Sequence, residues 1–374
     1  MTKRLYHLQK ATGYAGSEEF LVKLGQGLSA RGWSCGIGVI QESDRPADQF
    51  ISHLEKAGWT VDVIPMDLTL SPAAVVQVHS ILRDYNPDLI NTHLIHGDLI
   101  GALSSVGLDV PVISTKHNDD RFKHRWGFGV FAQILNWKFD HLVTISDHLK
   151  NFYQNQLGIT NTPYTRIHYG LDPDQFLAEV SSDHGTRPPV IREDAVTFGM
   201  VARLTEQKGH DTLLEAFERL PLADHNSQLI LVGSGPLEDE LKTTAEAGPA
   251  TENIHFLGHR SDVPQLLSHF DVFVHPSRWE GFGLVFLEAM AARLPVVATN
   301  VSAIPEIVRH RETGLLVEPD RVDALSEAME SLLVDPERRS QLGRAGRKRL
   351  EKCFSVERMI DQYEELYTRV IGKG

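Results

Sequence analysis

Short apolar runs alternate with helix-length amphipathic segments along this chain, and partway through, the alternation starts over. The runs GIGVI, WTVDVIPM, PDLINTH, VPVISTKH and HLVTIS are each followed by a stretch long enough for a helix. That is the βαβ rhythm of a doubly wound parallel sheet, whose strands are buried on both faces and therefore read as continuous apolar stretches. From Asp194 the rhythm restarts with AVTFGMVARL, QLILVGSG, NIHFLGH, DVFVHPS, PVVAT and GLLVEP, each run closing on small or polar residues. The 374 residues also exceed what one hydrophobic core normally serves. Two Rossmann-like α/β domains facing each other across a cleft are therefore expected.

The polar, proline-bearing segment HYGLDPDQFLAEVSSDHGTRPPVIRED lies between the two series and has the composition of a linker. This gives a first domain over 1–170, a hinge over 171–193, a second domain over 194–352 and a final helix over 353–374. In that helix Val356, Met359, Ile360, Tyr363, Leu366, Tyr367 and Val370 recur at helical spacing. The stripe must pack on something, and a return to the first domain is the preferred expectation.

Charge narrows the function classes. The net charge is -13, and residues 1–170 carry only -1 of it, from 15 Lys and Arg against 16 Asp and Glu. A nucleic-acid binder needs clustered cations, so no nucleic-acid partner is expected. The opening MTKRLYHLQK has no apolar stretch behind its basic residues, and no later run is long and apolar enough to span a membrane, which favours a cytoplasmic location. Cys35 and Cys353 are the only cysteines and are read as reduced thiols, with no disulfide or zinc site.

In open α/β sheets ligands gather beyond the carboxyl ends of the strands, so the residues after each apolar run matter most. Arg203 follows one run and Lys208 opens the next helix, a pairing of cations with helix amides that suits a diphosphate; a surface Arg and Lys in a loop is the competing reading. Glu280 and Glu288 flank Gly281 and Gly283 before a helix starting near Leu284, where carboxylates can accept paired hydroxyl bonds from sugars. Gly233, Ser234, Gly235 and Pro236 form a third strand-to-helix turn, which is also ordinary punctuation. Lys116 and His117 close a strand in the first domain, where a lone His is more often structural than catalytic.

Several motifs point elsewhere. Asp172-Pro173-Asp174 has an Asp-x-Asp form but is expected to be a turn, and His93, His96 and Asp98 lack a convincing further ligand, so no metal is expected. No Gly-x-x-x-x-Gly-Lys-Ser/Thr loop or Gly-x-Ser-x-Gly elbow occurs, and no clean Gly-x-Gly-x-x-Gly follows the opening strand, which ranks a dinucleotide dehydrogenase lowest.

ATGYAGSEEFLVKLGQGLSARG near the start, GLDPDQF, ARLTEQKG, PSRWEGFGLVFLEAMAARLPVVAT and IPEIV together resemble the retaining glycosyltransferases of family 4, which have the GT-B fold. The resemblance covers nearly the whole chain, and the Glu, seven residues, Glu signature in its strand-turn-helix context is its specific part. It implies that Arg203 and Lys208 hold a donor diphosphate, Glu288 the ribose, and Glu280 with backbone at Phe282, Gly283 and Leu284 the donor sugar. Backbone around Gly258 to Arg260 would meet the base, with Gly233 also in the donor site. His117 would face the reaction centre and Gly16 would lie in a loop near the phosphates. There the sequence reads Ala15, Gly16, Ser17, Glu18, a departure from the family's usual Gly-Gly-Ala-Glu.

The implied activity is metal-independent, retaining transfer of a hexose from a nucleotide sugar, a UDP-sugar first and GDP-mannose second, to a glycan or lipid-linked acceptor in surface polysaccharide synthesis. No cofactor is implied, since the nucleotide sugar is a substrate. Arg121 to Phe139 mixes four Lys and Arg with several aromatics, which suits peripheral contact with an anionic inner membrane face; a helix packing its aromatics into the core is the competing reading. A nucleotide-sugar epimerase or a noncatalytic nucleotide-sugar-binding protein on the same architecture are the rival functions.

Overall fold

The computed structural model describes residues 2–372 apart from 12, 14–15, 68–70, 119–127 and 183–186. Two compact units are present, one made of 1–170 with 356–374 and the other of 171–355. In the first unit, strands β1 (Arg4–Lys10), β2 (Ser34–Gln41), β3 (Thr60–Pro65), β4 (Leu89–His93), β5 (Val112–Lys116), β6 (His141–Thr144) and β7 (Tyr164–Arg166) form one parallel sheet. Its order is β3-β2-β1-β4-β5-β6-β7. The second unit repeats the plan with β8 (Val196–Val201), β9 (Ser227–Val232), β10 (Ile254–Phe256), β11 (Val272–His275), β12 (Val296–Thr299) and β13 (Gly314–Val317), ordered β10-β9-β8-β11-β12-β13.

These strands form where the apolar runs lie because both sheet faces are covered. In β1 the five central residues are buried, and all six of β9 are. The second core gathers Phe198, Met200, Phe217, Leu231 and Val274 around its sheet.

The final helix Val356–Ile371 belongs to the first unit. Met359, Ile360, Tyr363, Leu366, Tyr367 and Val370 are buried, and Ile360 lies so close to Gly27 of helix Gly16–Ala30 that a Cβ there would sit 2.1 Å from its Cδ1. Polar bonds fix the register: Asn91 Nδ2 donates to the Tyr367 hydroxyl at 2.7 Å, Trp33 Nε1 to Glu364 at 3.0 Å, and Arg31 pairs with both Asp361 and Glu364.

The expected hinge over 171–193 does not have the character of a linker where it is described. Pro173–Ser182 is a helix packed on helices Val263–Leu267 and Leu284–Ala291, and Phe176 and Ile191 are buried. Asp172-Pro173-Asp174, expected to be a turn, is that helix's N-terminus: Asp172 Oδ1 accepts from the backbone N–H groups of Asp174 and Gln175 at 2.9 and 3.0 Å. Arg347 then pairs with Asp174 at 2.7 Å. Leu171, Phe176 and Ile191 supply its buried apolar positions, and Arg192 adds bonds to the Ser227 carbonyl and to Gln228 of the second unit. Likewise the last helix begins at Val356, after Cys353 has closed the helix Pro336–Cys353 in the second unit.

Because Leu366 is 1% exposed, Leu366→Ala is expected to destabilise the first unit by about 3 kcal/mol. The exposed neighbour change Glu365→Ala should stay within about 0.5 kcal/mol. Urea unfolding midpoints compare the two, and equal midpoints would show that the helix is not part of that core.

Candidate functional site

In the second unit the direction of winding reverses between β8 and β11, and the residues that follow these two strands meet there. Arg203 follows β8 and is exposed. Five residues on, the Lys208 ammonium contacts the carboxylate of Glu280, which follows β11 and is 8% exposed. His275, the last residue of β11, places Nε2 3.7 Å from the same carboxylate. Burial works to raise the Glu280 carboxyl, but Lys208 and His275 outweigh it and hold it at about 2.

The two loops are clamped together. Arg278 reaches Asp211 and Asp320 at 2.7 Å each and the carbonyl of Glu206 at 2.7 Å, and Gln207 Nε2 donates to the Trp279 carbonyl at 2.9 Å. Gly233 adds the loop after β9: its φ of 135° is closed to ordinary side chains, and a Cβ there would lie 1.9 Å from the Ala202 carbonyl oxygen. The Gly233 N–H donates to the Gly258 carbonyl at 2.8 Å, and Leu204 N–H to the Ser234 carbonyl at 3.0 Å, so the ends of β8, β9 and β10 form one rim. Arg260 on that rim is held by Asp262 through two bonds of 2.7 and 2.6 Å.

After Glu280 the chain passes Gly281 and the buried Phe282 and turns at Gly283, with φ 86°, into helix Leu284–Ala291. The first-turn amides of that helix lie at the end of β11, a place suited to anions and hydroxyls. Glu288 is its fifth residue and half-buried. Arg203, Lys208, Gly233, Gly258, Glu280 and Gly283 are thus carried by neighbouring strand ends of one unit.

His117 and Gly16 belong to the first unit. Gly16 is the first residue of helix Gly16–Ala30; residues 12, 14 and 15 before it lie outside the described residues. His117, 7% exposed, follows β5 and bonds through Nε2 to His93 Nδ1 at 2.9 Å and through Nδ1 to the Tyr169 hydroxyl. Lys116 pairs with Asp98 at 2.6 Å, and Asp98 also accepts from Thr92 and Ser114 at 2.6 and 2.5 Å. His93 and Asp98 therefore serve different networks, and among the described residues no cluster of three His, Cys, Asp or Glu has metal-holding geometry.

The basic half of the Arg121 to Phe139 segment, residues 121–127, lies outside the described residues. In the remainder Ala132, Leu135 and Phe139 are buried, while Val130, Ile134 and Trp137 are 63%, 64% and 66% exposed. The core-packing reading holds for one face only. Among the described residues no helix is long and apolar enough to cross a membrane.

Sequence reasoning did not find His275, Arg278, Tyr169 or His7. His275 ends β11 much as His117 directly follows β5, and it carried the same signal. The others became visible only through partners distant in sequence.

The ion pair at this site has a pH signature. The Glu280 carboxyl is held near 2, below its unfolded value of about 4.3. Its ionised form therefore contributes stability at pH values above the unfolded pKa, and that contribution is lost as pH falls toward the folded one. The gap in urea midpoint between wild type and Glu280→Gln should narrow over that window. Lys208→Met, which strands a buried carboxylate, should cost about 3 kcal/mol at neutral pH. A gap independent of pH would contradict the pairing.

Two family models match this chain: Glycosyltransferase Family 4 over residues 14–175 and Glycosyl transferases group 1 over residues 185–349. The capsular polysaccharide biosynthesis glycosyltransferase CapM of Staphylococcus aureus is 32% identical over 325 residues, which is 83% of this chain and 86% of that one. A GDP-mannose-dependent monoacylated alpha-(1-6)-phosphatidylinositol monomannoside mannosyltransferase of Corynebacterium glutamicum is 30% identical over 272 residues, 70% of each chain. Among solved structures, Anabaena HepE in complex with UDP and glucose superposes with a TM-score of 0.83 at 22% identity, covering 98% of this chain and all of the other. A Rickettsia africae glycosyltransferase does so with 0.85 at 18% identity over the whole of both chains, and at these identities the likeness establishes the fold, GT-B. With both halves of the chain matched in order and two relatives similar over most of their length, this protein belongs to the family 4, group 1 glycosyltransferases.

Proposed function

We propose that this glycosyltransferase moves a hexose from a nucleoside diphosphate sugar to a glycan or lipid-linked acceptor of a surface polysaccharide, with retention at the anomeric carbon and without a metal. The observation that carries the reading is the meeting of Arg203, Lys208 and the helix beginning at Leu284 at the switch point between β8 and β11. Cations and helix amides together suit a diphosphate.

As the bond from the anomeric carbon to the phosphate oxygen breaks, negative charge grows on the departing nucleoside diphosphate. Preplaced Arg203, Lys208 and the amides stabilise it, an effect worth several kcal/mol in such sites. Lys208 contacts Glu280 in the chain as it stands, so a bound diphosphate shares that ammonium with the carboxylate. Held near 2, Glu280 is ionised at neutral pH, an acceptor for sugar hydroxyls rather than an acid. The acceptor oxygen attacks from the leaving-group side, forming its bond to the anomeric carbon while its proton passes to the departing phosphate. Glu280 positions the sugar. Glu288 takes the ribose hydroxyls, and the backbone from Gly258 to Arg260 takes the base.

For the donor, UDP-sugars come first and GDP-mannose second. The relatives span both, with one mannosyltransferase named for GDP-mannose and HepE solved with UDP. The exposed row Val130, Ile134 and Trp137 supports peripheral attachment to the inner face of the cytoplasmic membrane, where a lipid-linked acceptor would reside.

A thermal-shift panel of UDP, GDP, ADP and their sugar conjugates tests the donor. At a hundredfold excess over Kd the gain is about 2.7 kcal/mol, a rise of several degrees. One nucleoside diphosphate should stand out, and Arg203→Ala should abolish its shift; a panel with no responder overturns the reading. For the membrane, co-sedimentation with anionic vesicles should exceed that with neutral ones and fall severalfold in Ile134→Ser/Trp137→Ser. Equal sedimentation with both lipids removes that part.

A further inference from the structure

Three histidines and a tyrosine of the first unit form one hydrogen-bonded row beneath the carboxyl ends of its central strands. His7 on β1 bonds through Nδ1 to His93 Nε2 at 2.8 Å, His93 Nδ1 to His117 Nε2 at 2.9 Å, and His117 Nδ1 to the Tyr169 hydroxyl. All four are buried, and the Phe20 ring lies against His93, His117 and Tyr169. Burial depresses His7 to about 3 and His93 well below its ordinary value, so both are neutral at physiological pH.

A neutral imidazole donates from one nitrogen and accepts at the other. Both ring-to-ring bonds join an Nδ1 to an Nε2, so a choice of tautomer at one ring dictates the others. Two polarities remain. In one, every ring carries its proton on Nδ1, His117 donates to Tyr169, and His7 ends the row with a bare Nε2. In the other, Tyr169 donates into the row and His7 ends it with an Nε2–H.

The His7 end decides between them. His7 Nε2 is buried with no hydrogen-bond partner among the described residues, and so is Nε1 of Trp59, whose ring lies 4.9 Å from that of His7. An indole nitrogen can only donate. A bare His7 Nε2 leaves one unpartnered acceptor in a pocket that already holds the unpartnered indole N–H, whereas an Nε2–H would add a second unpartnered donor there. Buried donors without partners are the rarer and costlier case. At the other end burial, with Tyr363 and the Glu18 carboxylate adding to it, raises the Tyr169 hydroxyl well above its ordinary value, so Tyr169 keeps its proton. Glu18 is itself tied to Gln9 at 2.8 Å and Ser17 at 3.0 Å.

We propose that the row is directional, with His7, His93 and His117 all protonated on Nδ1, and that His93 and Tyr169 are positioning residues that hold His117 with neither ring nitrogen available to take a proton. His117 then shapes the site without serving as a base. The consequence for turnover rests on the transfer reading, but the tautomers do not, and they are read without any donor.

The test is a long-range proton–nitrogen NMR spectrum of the full chain labelled with ¹⁵N-histidine at neutral pH, with resonances assigned through His7→Gln and His93→Gln. The expected result is Nδ1–H at all three rings, favoured at least about tenfold over Nε2–H. Tyr169→Phe keeps the ring and removes the acceptor, so the two forms at His117 should become comparable. Trp59→Phe removes the stranded indole donor and should lower the preference severalfold, which gives a second arm if Tyr169→Phe does not fold. Nε2–H at His117 in the wild type, or a tautomer unmoved by both variants, overturns the proposal. A failed nucleotide panel with the expected tautomers would sink the transfer reading alone.

Discussion

A parallel sheet covered by helices on both faces leaves chemistry one place to go, the rim where the strands end and the chain is free to vary. Both units of this protein obey that constraint. In the second, the rim is tightened by close backbone approach: Gly233 against the Ala202 carbonyl and the Gly258 carbonyl, and Arg278 across the 206–211 segment. Charged groups mounted on such a rim need little reorganisation when charge develops near them, which is what electrostatic catalysis requires.

The two units manage buried polarity differently. The second places a carboxylate and an ammonium together at the switch point, and the attraction of Lys208 outweighs the burial of Glu280. The first uses neutral rings in series, from His7 to Tyr169, and confines its buried ion pair to Lys116 and Asp98, where Thr92 and Ser114 complete the carboxylate's bonds. Full satisfaction matters because a half-paired buried charge costs far more than a paired one contributes. The second unit thus carries the charge suited to a phosphorylated ligand, and the first carries shape and fixed hydrogen-bond direction.

Much of this was legible in the chain. The apolar runs marked the strands because burial on both faces leaves no room for alternation, and residues after those runs marked the rim. Glu280, Glu288 and the glycines between them were found because a carboxylate beside a glycine turn and a helix start is a local pattern. The polar hinge misled: Pro173–Ser182 reads as linker by composition, yet a cap from Asp172 and an ion pair from Arg347 hold it on the second core. His93 drew notice only as a metal candidate, since its true partners His7 and His117 are 86 and 24 residues away.

Periodicity and the identity of residues at strand ends are properties of neighbouring positions, so the sequence by itself determined two doubly wound units, the order of their elements and the cations and carboxylates of the second rim. Which groups pair was decided only when the sheets formed, because hydrogen bonds and ion pairs depend on separations of about 3 Å between positions that the chain order does not relate. Lys208 with Glu280, Asn91 with Tyr367, and the row of histidines all belong to that second class.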